Sequence, residues 1–273
     1  MILDILNTYE PISLEDMSSI RLMNRTDTKF VTSADKLQKL LRLAVWDYRI
    51  QEIEGERISP YYTLYFDTLD KKMYARQLSG HANRQKLRIR SYVHSGLNFL
   101  EVKTKDNHGM TSKKRMTMYD FNPEHPDHDI VFRGQSSYFK EYENFLQNNL
   151  YYQPIDLREQ LENRFNRITL VNKLKTERLT IDMDLRFHNL TTDVIMALPQ
   201  VVILEIKRDG LQPSPILKYL KELRIKSMGF SKYCLGSAFT NDYLKVNNVK
   251  PRLHKVAKLT QIITYNRSSY GNF

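Results

Sequence analysis

Lysine and arginine recur at every second position along several short stretches of this sequence, and that spacing is its first sign of chemistry. In R-Q-K-L-R-I-R-S-Y, residues 84 to 92, Lys86, Arg88, Arg90 and Tyr92 share one face of an extended chain while Leu87 and Ile89 share the other, because successive side chains of a strand point to opposite sides. The following L-N-F-L-E-V-K-T-K groups Phe99, Glu101, Lys103 and Lys105 against Leu100 and Val102. The pattern returns four times more: Arg25, Asp27 and Lys29; Phe165, Arg167 and Thr169; Arg178, Thr180, Asp182, Asp184 and Arg186; Glu205 and Lys207. One such face would simply be the wet side of a half-buried sheet. Repeated on strand after strand, it predicts a surface that grips an anion, and arginine suits phosphate because its planar fork meets two oxygens at once. The sequence has no G-x-x-x-x-G-K-[ST] or G-x-G-x-x-G and only nine glycines, so phosphate must be held by side chains rather than by a glycine-rich backbone cradle.

Charge agrees with this reading. The chain of 273 residues carries a formal charge of +11 and a sequence pI near 9.5, which favours nucleic acid, a phosphate polymer, a nucleotide or an acidic membrane surface as partner. No recognisable nucleic-acid-binding module accompanies the basic residues, so specific nucleic-acid binding is not expected. The single cysteine, Cys234, excludes an intrachain disulfide and fits a reducing compartment. The start M-I-L-D-I-L-N-T-Y-E lacks the character of a signal peptide, and no run approaches the roughly 18 apolar residues of a membrane span. A cytoplasmic protein is the expectation. His125 and His128 lie in a Pro-interrupted loop with no matching pair elsewhere, and are read as solvated rather than metal-binding.

The elements that position these residues follow from periodicity. About eight strands are expected, mostly antiparallel, with a turn at Ser95 and Gly96 joining the two most basic ones. Helices are expected at 33 to 44, 70 to 79, 135 to 149, 213 to 223 and 231 to 243, with Ser33 and Ser231 as caps and Thr68 or Asp70 capping the second. In T-S-K-K-R-M-T-M only one parity of Lys113, Lys114 and Arg115 can face inward. Strands with matched polar faces are best satisfied in an α+β fold, a closed antiparallel β-barrel whose basic interior is lined by those faces and whose apolar outside is covered by the helices. Lys29, Arg88, Arg90, Lys103, Arg167, Arg178 and Lys207 would then crowd together. Two like charges about 6 Å apart at an effective dielectric of about 20 repel by roughly 3 kcal/mol, and a bound polyanion relieves this. Residues 1 to 243 are read as this domain and 244 to 273 as a basic tail, since no acid occurs from Lys245 onward.

Taken in order, R-T-D-T-K-F, Y-F-D, K-L-R-I-R-S-Y, E-V-K-T-K, N-R-F-N-R, R-L-T-I-D, L-E-I-K and F-S-K-Y resemble the VTC domain, the polyphosphate polymerase branch of the triphosphate tunnel metalloenzymes, over roughly residues 20 to 240. The resemblance implies a CYTH-like tunnel barrel that takes ATP with a divalent metal, manganese rather than magnesium, and transfers the γ-phosphate onto a growing polyphosphate chain. By motif position, Lys29, Arg88, Arg90, Lys103, Arg167 and Arg178 correspond to the catalytic tunnel cations and Glu205 to the metal-binding glutamate. Lys207, Ser231 and Lys232, and more loosely Arg76 and Lys114, correspond to substrate-binding positions. The sequence departs from the family pattern at Gly229, where a lysine is usual and Lys226 stands nearby, and at Phe165, where a tyrosine is common. The implied partners are ATP, polyphosphate and pyrophosphate-like anions. Eukaryotic relatives fuse the domain to membrane spans, so a separate membrane partner is a further expectation. Two other functions use the same residues: a triphosphatase, with water in place of the acceptor phosphate, and a non-catalytic module that binds polyphosphate or inositol phosphates.

Overall fold

The computed structural model describes residues 2–18, 25–126, 136–210 and 212–260. His128 and the tail from residue 261, Arg267 included, lie outside the described residues. Among the described residues eleven strands form one sheet: β1 (Pro11–Ile12), β2 (Arg25–Ser33), β3 (Tyr48–Gln51), β4 (Ser59–Thr68), β5 (Arg84–Tyr92), β6 (Leu97–Lys105), β7 (Thr111–Met118), β8 (Leu157–Asn172), β9 (Glu177–Asn189), β10 (Val194–Leu198) and β11 (Val201–Asp209). The helices are α1 (Ile2–Leu6), α2 (Leu14–Ser18), α3 (Ala34–Ala44), α4 (Lys72–Leu78), α5 (Phe139–Asn149), α6 (Pro215–Glu222), α7 (Lys232–Thr240) and α8 (Lys250–Thr260). The main path runs β2-β11-β9-β8-β4-β5-β6-β7, and every pairing along it is antiparallel.

Alternation sets which way each strand faces. Leu87, Ile89, Leu100 and Val102 form a cluster with Tyr142 and Leu146 of α5 and Met73 of α4. Leu179, Ile181, Leu204 and Ile206 pack against Leu37, Leu40 and Leu41 of α3 and Ile216 and Leu220 of α6. The apolar faces are therefore roofed by helices, and the basic faces turn to the concave side. Ser33 caps α3, its hydroxyl accepting from Lys36 N. The β5–β6 turn places Gly96 at φ +62, a conformation that costs glycine little because it has no Cβ.

Several details differ from the sequence reading. Hydrogen bonds do not close the sheet into a barrel, since β2 and β7 are the two ends of its path. The chain after α6 occupies the outer edge of β2 instead: Phe30 forms a bridge with Ser227, and Met228 N donates to Lys29 O at 2.8 Å. Those edge groups are thus satisfied without β7. The start of α4 relies on neither expected cap alone. Thr68 Oγ1 accepts from Lys72 N, and the buried Asp67 carboxylate accepts from Met73 N, Tyr74 N and the Tyr233 hydroxyl, tying β4, α4 and α7 together. Asp184 and Arg186 are exposed rather than concave-facing. Asp184 adopts φ +54 where the β8–β9 register shifts. This bulge reverses the alternation, so that Leu185 and Phe187 are buried beside Phe165 and Tyr233 instead. Part of the basic tail is also packed, because α8 buries Leu253, Val256 and Ala257.

α7 is buried along its length from Tyr233 to Thr240. Gly236 makes that possible: a Cβ there would lie 2.5 Å from Phe187 and 2.8 Å from Leu161. Gly236→Ala is expected to destabilise the protein by about 1–3 kcal/mol through overpacking, read as a lower denaturant midpoint with unchanged slope. A midpoint equal to the parent's would contradict this close approach.

Candidate functional site

The concave face encloses a cavity of about 600 Å³ whose wall carries ten basic side chains against three acidic ones, Asp27, Asp182 and Glu205. Neighbouring strands place the basic residues side by side. Lys86 lies opposite Lys103, and Lys103 opposite Lys113. Lys207 pairs with Arg178 on one side and Asp27 on the other, and Glu205 pairs with Lys29. Of the residues singled out in the sequence, Lys29, Arg88, Arg90, Lys103, Arg167, Arg178, Glu205, Lys207, Ser231 and Lys232 all line this cavity. Arg76 and Lys114 do not. Arg76 is exposed on α4 and donates to Asn83 O at 3.0 Å, while Lys114 is exposed and registered with the core residue Val102, which gives it the outward parity.

Three carboxylates each hold two of these cations, but not equally. Glu101, buried just behind the wall, accepts from Arg88 Nε at 2.8 Å and Nη2 at 2.6 Å and from Lys113 Nζ at 2.5 Å. Asp182 takes a two-point contact from Arg167, at 2.6 and 2.8 Å, and a further hydrogen bond from Lys232 Nζ. Glu205 has only looser ion pairs, with Lys29 and Lys207 at 3.8 Å each. Burial alone would raise all three acids; Arg88 and Arg90 outweigh it at Glu101 and Lys29 and Lys207 at Glu205, holding both at about 2. Arg167 and Lys232 hold Asp182 well below the usual carboxylate range. The sequence reading had not placed Lys86, Lys113 or Asp182 among the site residues. Lys86 shares its parity with Arg88 and Arg90, which was the available signal. The inward parity of Lys113 needed the register with Lys103.

Ser231 caps α7, its hydroxyl accepting from Cys234 N at 3.4 Å and from Lys86 Nζ at 3.4 Å. Lys232, in the first turn where a cation opposes the helix dipole, is compensated by Asp182. Phe165 stacks on Tyr61 with centroids 5.2 Å apart and carries the Lys232 ammonium 4.1 Å above its ring. That cation–π contact is what the ring supplies to the wall. Arg90 Nε and Thr180 Oγ1 are buried without a hydrogen-bond partner.

Among the described residues no group of three or more His, Cys, Asp or Glu side chains could hold a metal by itself. Glu205 fits the other way a hard divalent cation binds, through one carboxylate with the remaining ligands from phosphate oxygens and water. Its oxygens are less closely engaged than those of Glu101 and Asp182.

Burial pushes Lys86 and Lys103 down to about 8, with Lys29 and Arg88 adding to the effect on both and Cys234 opposing it on Lys86. A bound polyanion favours the ammonium forms, so their bound pKa is higher than the free one. Tripolyphosphate binding should therefore take up protons at a pH just above that value, and affinity should fall as pH rises through it. Calorimetry in two buffers of different ionisation enthalpy checks this. Identical apparent enthalpies would contradict it.

No described helix is long and apolar enough to cross a membrane. None of the curated proteins compared with the chain matches it. Among solved structures, an adenylate cyclase candidate from Bacillus halodurans is similar at 13% identity, covering 77% of this chain and 96% of its own, with a TM-score of 0.48. The adenylyl cyclase candidate HpAC1 from Hippeastrum, described as having a dominant triphosphatase activity, is similar at 14% identity over 82% of this chain and 99% of its own, with a TM-score of 0.47. The family model of the VTC domain matches residues 24–241, a span that contains every strand whose side chains line the cavity, and the chain therefore belongs to the VTC domain family.

Proposed function

We propose that this protein is a polyphosphate polymerase, transferring the γ-phosphate of ATP onto a growing polyphosphate chain within the cationic cavity. The supporting observation is the surplus of ten basic over three acidic side chains on one enclosed wall, together with membership of the VTC family. A linear phosphate chain neutralises such a wall, whereas a bulky duplex does not enter it. Arg88, Arg90, Arg167 and Arg178 bind and orient phosphate oxygens, and Lys29, Lys103, Lys207 and Lys232 offset the charge spread over them during transfer. Glu205 would hold a divalent cation, manganese in our reading, which supplies electrostatic stabilisation of phosphoryl oxygens when bound. The acceptor is a terminal phosphate oxygen that is already a nucleophile, so no general base is required.

Purified protein incubated with γ-labelled ATP and manganese should give a ladder of long phosphate chains on a gel, lost in Arg88→Ala. Release of free phosphate with no ladder would overturn the polymerase in favour of a triphosphatase. Tight tripolyphosphate binding without turnover would leave a binding module.

A further inference from the structure

One margin of the cavity wall carries apolar and neutral side chains. Leu14, Met17 and Gln51 line the cavity there, and Leu14 is 57% exposed, so the cavity meets solvent beside it. Pairing with β3 sets Ile12 of β1 opposite Gln51. The Ser13 hydroxyl then accepts from Asp16 N at 3.0 Å as α2 begins, and Met17 of α2 packs with Ile12 and Val171. Arg178 Nη2 donates to Met17 O at 3.1 Å, joining α2 to the cationic wall. Leu14, the first residue of α2, is thereby fixed at the rim. Gln51 is placed by β8: Ile50 lies opposite Leu170, which brings Gln51 beside Thr169 in the next antiparallel step. Thr169 pairs with Thr180, Thr180 with Glu205 and Glu205 with Lys29. One cross-strand row therefore runs from Lys29 and Glu205 through Thr180 and Thr169 to Gln51, charged at its first end and neutral beyond. With strands about 4.8 Å apart, Gln51 stands about 14 Å along the wall from Glu205. Its half-buried amide makes no hydrogen bond among the described residues, and the Thr180 hydroxyl on the way is buried without a partner.

We propose that Leu14 and Gln51 form the subsite for the base of the donor nucleotide, with the adenine ring against Leu14 and the Gln51 amide paired to its edge. The inference rests on the reading of the cavity as a site that takes ATP. A glutamine amide offers one acceptor and two donors, and adenine is the base whose amino group and adjacent ring nitrogen match that pair. The complementarity follows the row. Phosphate belongs at the charged end, by Lys29 and Glu205, and the sugar and base extend along the neutral end. Tripolyphosphate is too short to reach Gln51 from Glu205, and an anion gains nothing from an apolar side chain and a neutral amide, whereas a nucleoside triphosphate spans the row and uses both.

The test compares binding of ATP, inosine triphosphate and tripolyphosphate to the full chain by calorimetry, with a chelator present so that nothing turns over. Gln51→Ala should weaken ATP by about fivefold and leave tripolyphosphate within about twofold. Leu14→Ser, at an exposed position that the fold tolerates, should weaken ATP by about threefold, again sparing tripolyphosphate. The parent should prefer ATP to inosine triphosphate, whose 6-oxo group cannot donate, by about fivefold, and Gln51→Ala should abolish that preference. If both variants keep the parent's affinity for ATP while the parent binds tripolyphosphate, the base subsite is overturned and the cavity reading stands. An equal loss of ATP and tripolyphosphate in the variants would also overturn it, since the change would then act on the phosphate site. Equal affinity of the parent for ATP and inosine triphosphate would overturn the pairing of Gln51 with adenine. Failure of the parent to bind tripolyphosphate would instead remove the cavity reading on which the subsite depends.

Discussion

Glu205→Gln is expected to lower turnover of ATP by on the order of 10³-fold while leaving tripolyphosphate bound at least as tightly as in the parent. The two effects separate because the carboxylate has two roles of opposite consequence. Its charge opposes the polyanion, so removing it makes the wall more positive. Its oxygens are held in ion pairs at 3.8 Å, looser than those of Glu101 and Asp182, which leaves them able to take a hard cation. Glu101 and Asp182 are already engaged by arginine at 2.6–2.8 Å, and a metal would have to displace a two-point ion pair to reach either. The amide of glutamine keeps the shape and loses that affinity. Turnover followed with γ-labelled ATP, alongside calorimetric binding of tripolyphosphate in the presence of a chelator, distinguishes the two roles. Turnover within threefold of the parent would sink the assignment of the metal to Glu205.

Asp182→Asn should produce the largest loss of stability of any single change in the wall, about 3–5 kcal/mol, or roughly 10 °C in Tm for a chain of this size. Asp182 is only 4% exposed and is the shared partner of Arg167 and Lys232. Its removal leaves two buried cations facing each other with Arg90 nearby, and Lys232, which burial already pushes down to about 7, is the first to give up its proton. The signature that separates this from ordinary core damage is rescue. A bound polyanion takes over the role of the lost carboxylate, so tripolyphosphate should raise the Tm of Asp182→Asn by more than it raises that of the parent. An equal rise in both, measured over the same ligand concentrations, would show that the lost stability has nothing to do with charge in the cavity.

Much of this site could be read from alternation alone. The period of two is a local property of extended chain, so Lys29, Arg88, Arg90, Lys103, Arg167, Arg178, Glu205 and Lys207 could each be assigned a face from nearest neighbours in sequence, and all eight line the cavity. The ordered motifs likewise carried the family, because all but F-S-K-Y, which opens α7, lie on the strands themselves. What the sequence alone could not supply is anything that depends on which strand lies beside which. Lys113 rather than Lys114 faces inward because of the register with Lys103 and Val102. Asp184 turns outward because its left-handed backbone reverses the alternation at a bulge, a conformation that nothing in the side chain pattern of M-D-L-R-F announces. Closure failed as a barrel for a similar reason: the chain around Ser227 and Met228 takes the edge of β2 from a distance of about 200 residues in sequence, a competition that only the folded chain resolves. The sequence by itself determined a basic face repeated from strand to strand and the family to which the chain belongs. The tertiary structure alone decided how the carboxylates are shared, two cations apiece, and left Glu205 the loosest of them, because ion-pair distances are set by the packing of strands far apart in the chain.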